Sequence, residues 1–142
     1  MRESTMTSRA QQFRRSFDEF ALVTPGVRQA IVVSNDGLLL AMSGDGDLDD
    51  GERFGAVTSA MSSLAAGVGD LYRLGRMRKL IVDLDGAFLL LSAFGQNAWL
   101  GVVAERDSDL GTLARDVQFY AATSGVSLSR PLAEELRAMV VG

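Results

Sequence analysis

Hydrophobic residues in the second half of the chain fall into three runs that predict a strand meander. The runs cover residues 77–84, 87–94 and 98–104, and they are separated by Asp85-Gly86 and by residues 95–97. These separators favour hairpin turns, so the pattern predicts three antiparallel strands. Both faces of the middle run are apolar, which indicates that helices cover the sheet on both sides.

A second hairpin precedes the meander. Apolar runs at residues 27–34 and 38–43 flank Asn35-Asp36-Gly37, and these three residue types tolerate the positive φ of a tight turn. We therefore assign the turn a structural role. Both faces of these strands are also apolar, so we expect them to lie buried beside the meander in one five-stranded antiparallel sheet.

The first helix is predicted from aromatic spacing. Phe13, Phe17 and Phe20 occupy positions i, i+4 and i+7, and charged residues fill the other face. This spacing predicts a core-facing amphipathic helix from Arg9 to the Pro25-Gly26 pair. The polar residues 1–8 before it are expected to form a disordered tail.

The longest helix, at residues 50–72, carries an apolar seam with alternating spacings of three and four residues. Small residues flank the seam and would allow another backbone to approach closely. We infer that one side of this helix lies on the sheet and that the seam makes an intermolecular contact; the alternative is a single buried face. The seam consists of Phe54, Val57, Met61, Leu64, Val68 and Leu71.

Two further helices follow the meander. Capping residues at 107–109 begin a helix that ends before Gly125. Ser129 and Pro131 begin a short final helix over residues 132–140. Residues 9–125 are therefore expected to form the domain, and residues 126–142 a C-terminal extension with a short helix.

Composition narrows the chemistry that the chain can perform. It has 142 residues, of which 47% are hydrophobic, with no Cys, no His and a net charge of −4. Without Cys and His, thiol nucleophiles, Cys/His zinc sites and His-based proton transfer are excluded. The negative charge argues against nucleic-acid binding. Because no apolar run could cross a membrane and no secretory h-region is visible, we expect a cytoplasmic protein.

The charges of the long helix are polarised. Six acids and no bases lie between Asp36 and Glu52, whereas a basic cluster follows the helix. Complementarity to the helix dipole explains this arrangement. Alternatively, two copies packed antiparallel would place each acidic start against the basic end of the other copy, in a dimer weakened by salt. The basic cluster consists of Arg73, Arg76, Arg78 and Lys79.

Two acidic features suggest chemistry but do not complete a site. Asp45, Asp47 and Asp49 match the first ligand spacings of a calcium-binding EF-hand loop, but the later glycine and glutamate positions do not match. A hydrolase with paired carboxylates at Asp83 and Asp85 would need a cleft, and acids beside an Asp-Gly turn are usually solvated. No phosphate-binding P-loop is present. We predict no metal, no cofactor and no catalytic residue.

The predicted order is helix, two strands, long helix, three strands, helix, an α+β arrangement with helices on both faces of the sheet. With this order of elements, the chain resembles the Roadblock/LC7 family. In particular, it is similar to the actinobacterial members encoded beside a sensor kinase and a small GTPase. The last helix departs from the minimal domain, although actinobacterial members carry similar Pro-containing tails. The likeness rests on VTPGV at 23–27, SNDGLLLAMS at 34–43, SLA at 63–65, LGVVA at 100–104 and DLG at 109–111.

The resemblance implies a non-catalytic homodimeric regulator or scaffold for a Ras-like small GTPase, with an associated sensor kinase as a further partner. Nucleotide and magnesium would belong to the GTPase, and partners could bring the protein to a membrane. Family members pair through the long helix and the third strand. That implies a dimer interface that adds Met77, Lys79 and Ile81 to the seam. Arg73, Arg76 and Arg78 are candidate partner contacts. Arg73 or Arg76 is a candidate for an arginine supplied to the GTPase, although a surface arginine usually has no such role.

Two features keep other interpretations open. Arg78 and Lys79 on an edge strand also resemble the charges that monomers use to block edge pairing. An antiparallel sheet flanked by helices also describes small-molecule sensors or interaction domains of the PAS, GAF or profilin-like type. Such sensors place convergent polar groups in a core pocket, and here only Ser92 and Thr58 are candidates.

Overall fold

The computed structural model describes the backbone of residues 2–142 and the side chains from Ser8 onward. Four helices and five strands follow one another in the expected order. A turn of 3-10 helix at Gly125–Ser127 precedes the last helix. The helices are α1 (Arg2–Val23), α2 (Leu48–Leu71), α3 (Leu110–Ser124) and α4 (Arg130–Val141). The strands are β1 (Val27–Ser34), β2 (Leu39–Met42), β3 (Lys79–Asp83), β4 (Ala87–Phe94) and β5 (Ala98–Glu105).

All five strands form one antiparallel sheet in the order β2-β1-β5-β4-β3. The first hairpin therefore joins the meander through β1 and β5, where Ile31 lies opposite Gly101. β2 and β3 are the two edges of the sheet. This confirms the predicted α+β fold with a five-stranded antiparallel sheet.

One face of the sheet, called here the three-helix face, is covered by α1, α3 and α4. Phe13, Phe17 and Phe20 are buried there, as their spacing predicts. The ring of Phe20 stacks on Tyr120 of α3 with 4.1 Å between centroids. Burial raises the pKa of the Tyr120 hydroxyl above its ordinary value. Most of the hydrophobic core lies on this face.

The other face, called here the α2 face, is covered by α2. Its smaller core is built from Ile31, Val33 and Leu39, against which Phe54 and Trp99 pack. Because neighbouring residues of a strand point to opposite faces, Ile31 and Val33 belong to this face while Ala30 and Val32 belong to the three-helix face. The expectation of helices on both faces is therefore confirmed.

Helix α4 lies along the edge strand β2. Leu132 and Leu136 are buried in the main core. The Arg137 Nη1 atom donates hydrogen bonds to the carbonyl oxygen of Leu39, at 3.0 Å, and to Oε1 of Glu52 on α2, at 2.6 Å. The C-terminal extension is thus part of the packed domain.

Side-chain caps begin three of the helices. Asp47, Asp109 and Ser129 each accept a hydrogen bond from a backbone N–H in the first turn of α2, α3 and α4. The hydrogen bond from Thr112 N–H lowers the pKa of Asp109. The stabilisation from this carboxylate is therefore present above its ordinary pKa and is lost as the pH falls through the lowered value.

The element bounds agree closely with the sequence pattern, with one clear difference at the N-terminus. β1 and β4 have the predicted bounds, whereas α1 begins at Arg2 instead of Arg9. The helical backbone thus includes residues 2–8, which we expected to be disordered, while Met1 lies outside the described residues. Among the described residues, no helix is long and apolar enough to cross a membrane.

Candidate functional site: an exposed surface on α2 and β3

Helix α2 contacts the sheet through its smallest side chains. Gly51, Gly55, Thr58 and Ser62 are its buried residues. The helix comes so close to β5 that a Cβ atom at Gly101 would lie 3.1 Å from Thr58 Oγ1 and 3.2 Å from Phe54 Cζ. The small residues therefore form the sheet-facing side of α2, which turns the larger apolar residues away from the sheet.

Most of the predicted seam of α2 is exposed. Val57 is 48% exposed, Leu64 77%, Val68 53% and Leu71 73%. Phe54 and Met61 are half-buried, and Phe54 packs on the core of the α2 face. Soluble proteins rarely leave such a contiguous apolar patch uncovered unless a partner binds there.

The patch continues past the end of α2. Tyr72 and Leu74 are both exposed, at 67% and 70%. The seam spacing did not reveal these two residues because they follow the last helical turn, outside any periodic pattern. No local pattern in the sequence marks them as exposed.

Arg73 holds the chain in an unusual conformation between these two side chains. Its φ is 56°, and it is the one described residue other than glycine with a positive φ. The Leu74 N–H donates to the carbonyl oxygen of Gly69 at 2.7 Å, which closes the helix end. A glycine usually occupies this position, so Arg73 stays there at a cost in backbone energy.

The basic cluster after α2 is exposed. Arg73, Arg76, Arg78 and Lys79 are solvent-accessible, and none forms an ion pair with another part of the described chain. These cations are therefore available to an acidic partner surface.

Strand β3 forms the free edge beside this cluster. Lys79 and Ile81 are exposed, and Met77, just before the strand, is half-buried. Asp83 at the far end accepts a hydrogen bond from Arg106, whose guanidinium also lies 4.4 Å from the centroid of the Phe88 ring. The structure thus places β3 and the exposed side of α2 on the surface, and the basic cluster follows α2 in the chain.

Other kinds of site find little support in the described residues. The described residues contain no group of three acidic, His or Cys side chains that could hold a metal. Ser92 and Thr58 are buried but lie on opposite faces of the sheet, so they do not converge on one pocket. An open groove of about 670 Å³ lies instead between α4 and the β1–β2 turn, where Asn35, Asp36 and Asn97 line one side.

Comparison with protein-family models decides the family. The model of the Roadblock/LC7 domain matches residues 17–104, well over half of the 142-residue chain. The chain belongs to the Roadblock/LC7 domain family. No curated protein sequence matches this Roadblock/LC7 chain.

Solved structures agree with the family at the level of the fold. A Roadblock/LC7 domain from Streptomyces avermitilis has a TM-score of 0.66 and 24% identity, covering 87% of this chain and 93% of its own. A structure described as MglB with a tetrameric arrangement has a TM-score of 0.69 and 16% identity, covering 92% of both chains. Profilin IA of Acanthamoeba castellanii has a TM-score of 0.59 and 18% identity, covering 78% and 94%.

Proposed function

We propose that this Roadblock/LC7 protein is a non-catalytic homodimer that binds a Ras-like small GTPase and regulates or scaffolds it. The observation that carries the proposal is the exposed apolar side of α2. Val57, Leu64, Val68 and Leu71 face solvent in the single chain, and the same chain has an open edge strand, β3, that can pair with another strand.

Burial of this side against a second copy would roughly offset the cost of association. Full burial of a Val or Leu side chain contributes roughly 1.5–3 kcal/mol, and a symmetric contact buries four such side chains from each copy. This gain is comparable with the estimated ~4–15 kcal/mol of freedom lost on association. The predicted interface residues on α2 are assigned to this contact. Lys79 and Ile81 lie opposite Ser92 and Leu90 on β4, so their side chains are on the three-helix face. Together with Met77, they are assigned to the proposed dimer through the edge strand.

The GTPase is proposed from the family and from the basic cluster. Arg73, Arg76 and Arg78 are exposed and have no acidic partner within the described chain. Such cations steer an acidic protein surface and contribute to its specificity. Nucleotide, magnesium and any hydrolysis belong to the GTPase in this proposal, and the Roadblock/LC7 dimer acts by binding one nucleotide state more tightly.

Affinity capture tests this partner. The tagged protein is incubated with lysate of its source organism containing either GDP or a non-hydrolysable GTP analogue, and bound proteins are identified by mass spectrometry. We expect one small GTPase enriched in one nucleotide state. Arg76→Glu should lower its recovery about tenfold, because the substitution reverses a charge that faces the acidic partner.

Arg115→Glu, on the exposed surface of α3, is the matched control and should leave the recovery unchanged. Equal recovery with both nucleotides would reduce the role to scaffolding. Absence of any GTPase from the captured proteins, with the protein folded and dimeric, would refute the GTPase proposal.

A further inference from the structure

We infer that β3 carries a self-complementary charge pattern that fixes how two copies pair: Lys79 of one copy lies opposite Asp83 of the other, with Ile81 on the two-fold axis. The inference rests on the proposed homodimer and specifies its register. Lys79 begins the strand, Asp83 ends it, and Ile81 is equally far from both.

The two edges of the sheet differ in their access to a second copy. At β2, the Leu39 carbonyl already accepts a hydrogen bond from Arg137, and α4 packs along the strand. At β3, no described element lies beyond the strand. Strand addition by a second copy is therefore directed to β3.

The hydrogen-bond pattern shows which residues of β3 face outward. Ala93 N–H donates to the Arg78 carbonyl at 2.9 Å, and Leu84 N–H donates to the Ala87 carbonyl at 3.0 Å. Arg78 and Leu84 therefore direct their backbone groups toward β4. Since this direction alternates along an antiparallel strand, the backbone N–H and C=O groups of the residues at positions 79, 81 and 83 point to the free edge.

Antiparallel pairing about Ile81 satisfies all of these outward groups. Ile81 then exchanges N–H···O=C hydrogen bonds with Ile81 of the second copy, and Lys79 does so with Asp83. The side chains of Lys79 and Asp83 also lie on the same face and directly opposite each other. By symmetry this charge pair occurs twice.

Neighbouring registers lose this match. A register centred on Leu80 places Lys79 opposite Ile81 and leaves Asp83 opposite Met77. A register centred on Val82 places Asp83 opposite Ile81 and leaves Lys79 opposite Asp85, which lies in the turn after the strand. The Leu80 register therefore has no opposite-charge pair within the strand, and the Val82 register has one only with a residue outside it, so the charges favour the Ile81 register.

The contact of Asp83 with Arg106 is compatible with this second role. Arg106 Nη1 contacts Oδ1 of Asp83 and also donates to the Leu84 carbonyl at 3.1 Å. A carboxylate has two oxygens that can accept several hydrogen bonds, so Oδ2 remains available to Lys79 of the second copy. Arg106 thereby orients the carboxylate from within the same chain.

Disulfide crosslinking of single-cysteine variants can determine the register, because the chain has no native cysteine. In the inferred register the two Ile81 Cα atoms are about 5.5 Å apart, which a disulfide can bridge. Ile81→Cys should therefore form a covalent dimer under mild oxidation. Leu80→Cys and Val82→Cys should each crosslink slowly alone but rapidly when the two variants are mixed. Faster self-crosslinking at either of these positions would overturn the register.

Charge reversal tests the recognition pair. Lys79→Asp and Asp83→Lys should each raise the dimer dissociation constant about tenfold, because like charges then face each other twice. The double variant should restore the constant to within about threefold of the native value. Arg106→Ala is the control for the intrachain contact of Asp83.

Two outcomes separate this inference from the proposal on which it rests. A native protein that is monomeric at high concentration would overturn both the homodimer and the register. A native dimer whose dissociation constant is the same in all charge variants would overturn the register alone.

Discussion

At the scale of single residues, the small side chains of α2 determine which of its surfaces is exposed. Gly55, Thr58 and Ser62 fit against the sheet, and Gly101 gives them room. The rule that the apolar side of a helix faces the core would place Val57 and Leu64 on the sheet instead. The seam was predicted from the sequence, and its intermolecular role stays a prediction. The sheet contact through glycine and hydroxyl residues was not predicted, because it depends on how closely two backbones approach.

Arg73 provides a prediction at the residue scale. Its left-handed backbone is unfavourable for a residue with a Cβ atom, so Arg73→Gly should raise the free energy of unfolding by about 0.5–1 kcal/mol. Urea denaturation at fixed protein concentration measures this change. Gly75, with φ 91° and open space around it, is the matched control: Gly75→Ala should lower the stability. A loss of stability in Arg73→Gly would show that the side chain itself holds the helix end.

At the scale of elements, local signals predicted strands better than helix ends or helix positions. The bounds of β1 and β4 were predicted to the residue because Gly, Asn and Asp mark their turns. Ser129 and Pro131 predicted the last helix, but its place beside β2 rests on contacts between distant residues, such as Arg137 with Leu39. No local pattern encodes such contacts.

The packing of α4 can be tested with two substitutions on the same helix. Leu136 is fully buried between the sheet and the other helices, so Leu136→Ala should lower the free energy of unfolding by about 2–5 kcal/mol. Val141 is 64% exposed, and Val141→Ala should change it by less than about 0.5 kcal/mol. Equal, small effects in thermal or chemical denaturation would mean that α4 is not part of the cooperative fold.

At the scale of the whole molecule, the exposed side of α2 predicts a change of oligomeric state without unfolding. Leu64 is exposed in the single chain, so Leu64→Asp should leave the fold intact while placing a charge in the proposed interface. Sedimentation should then show a monomer with native circular dichroism.

Ser63→Asp, at an exposed position on another side of the same helix, away from the seam, serves as the control and should stay dimeric. Leu113→Asp, in the main core, should unfold the chain. A Leu64→Asp protein that remains dimeric would remove α2 from the interface, and an unfolded one would mean that the residue supports the single chain.

The unequal edges of the sheet also bear on the size of any assembly. Helix α4 covers β2, and within the described chain β3 is left open. A subunit with two open edges resembles a bifunctional monomer in polymer chemistry, whose products lengthen as concentration rises. A subunit with one open edge resembles a monofunctional chain terminator: growth stops after a single addition, and a rise in concentration populates dimers but no larger species.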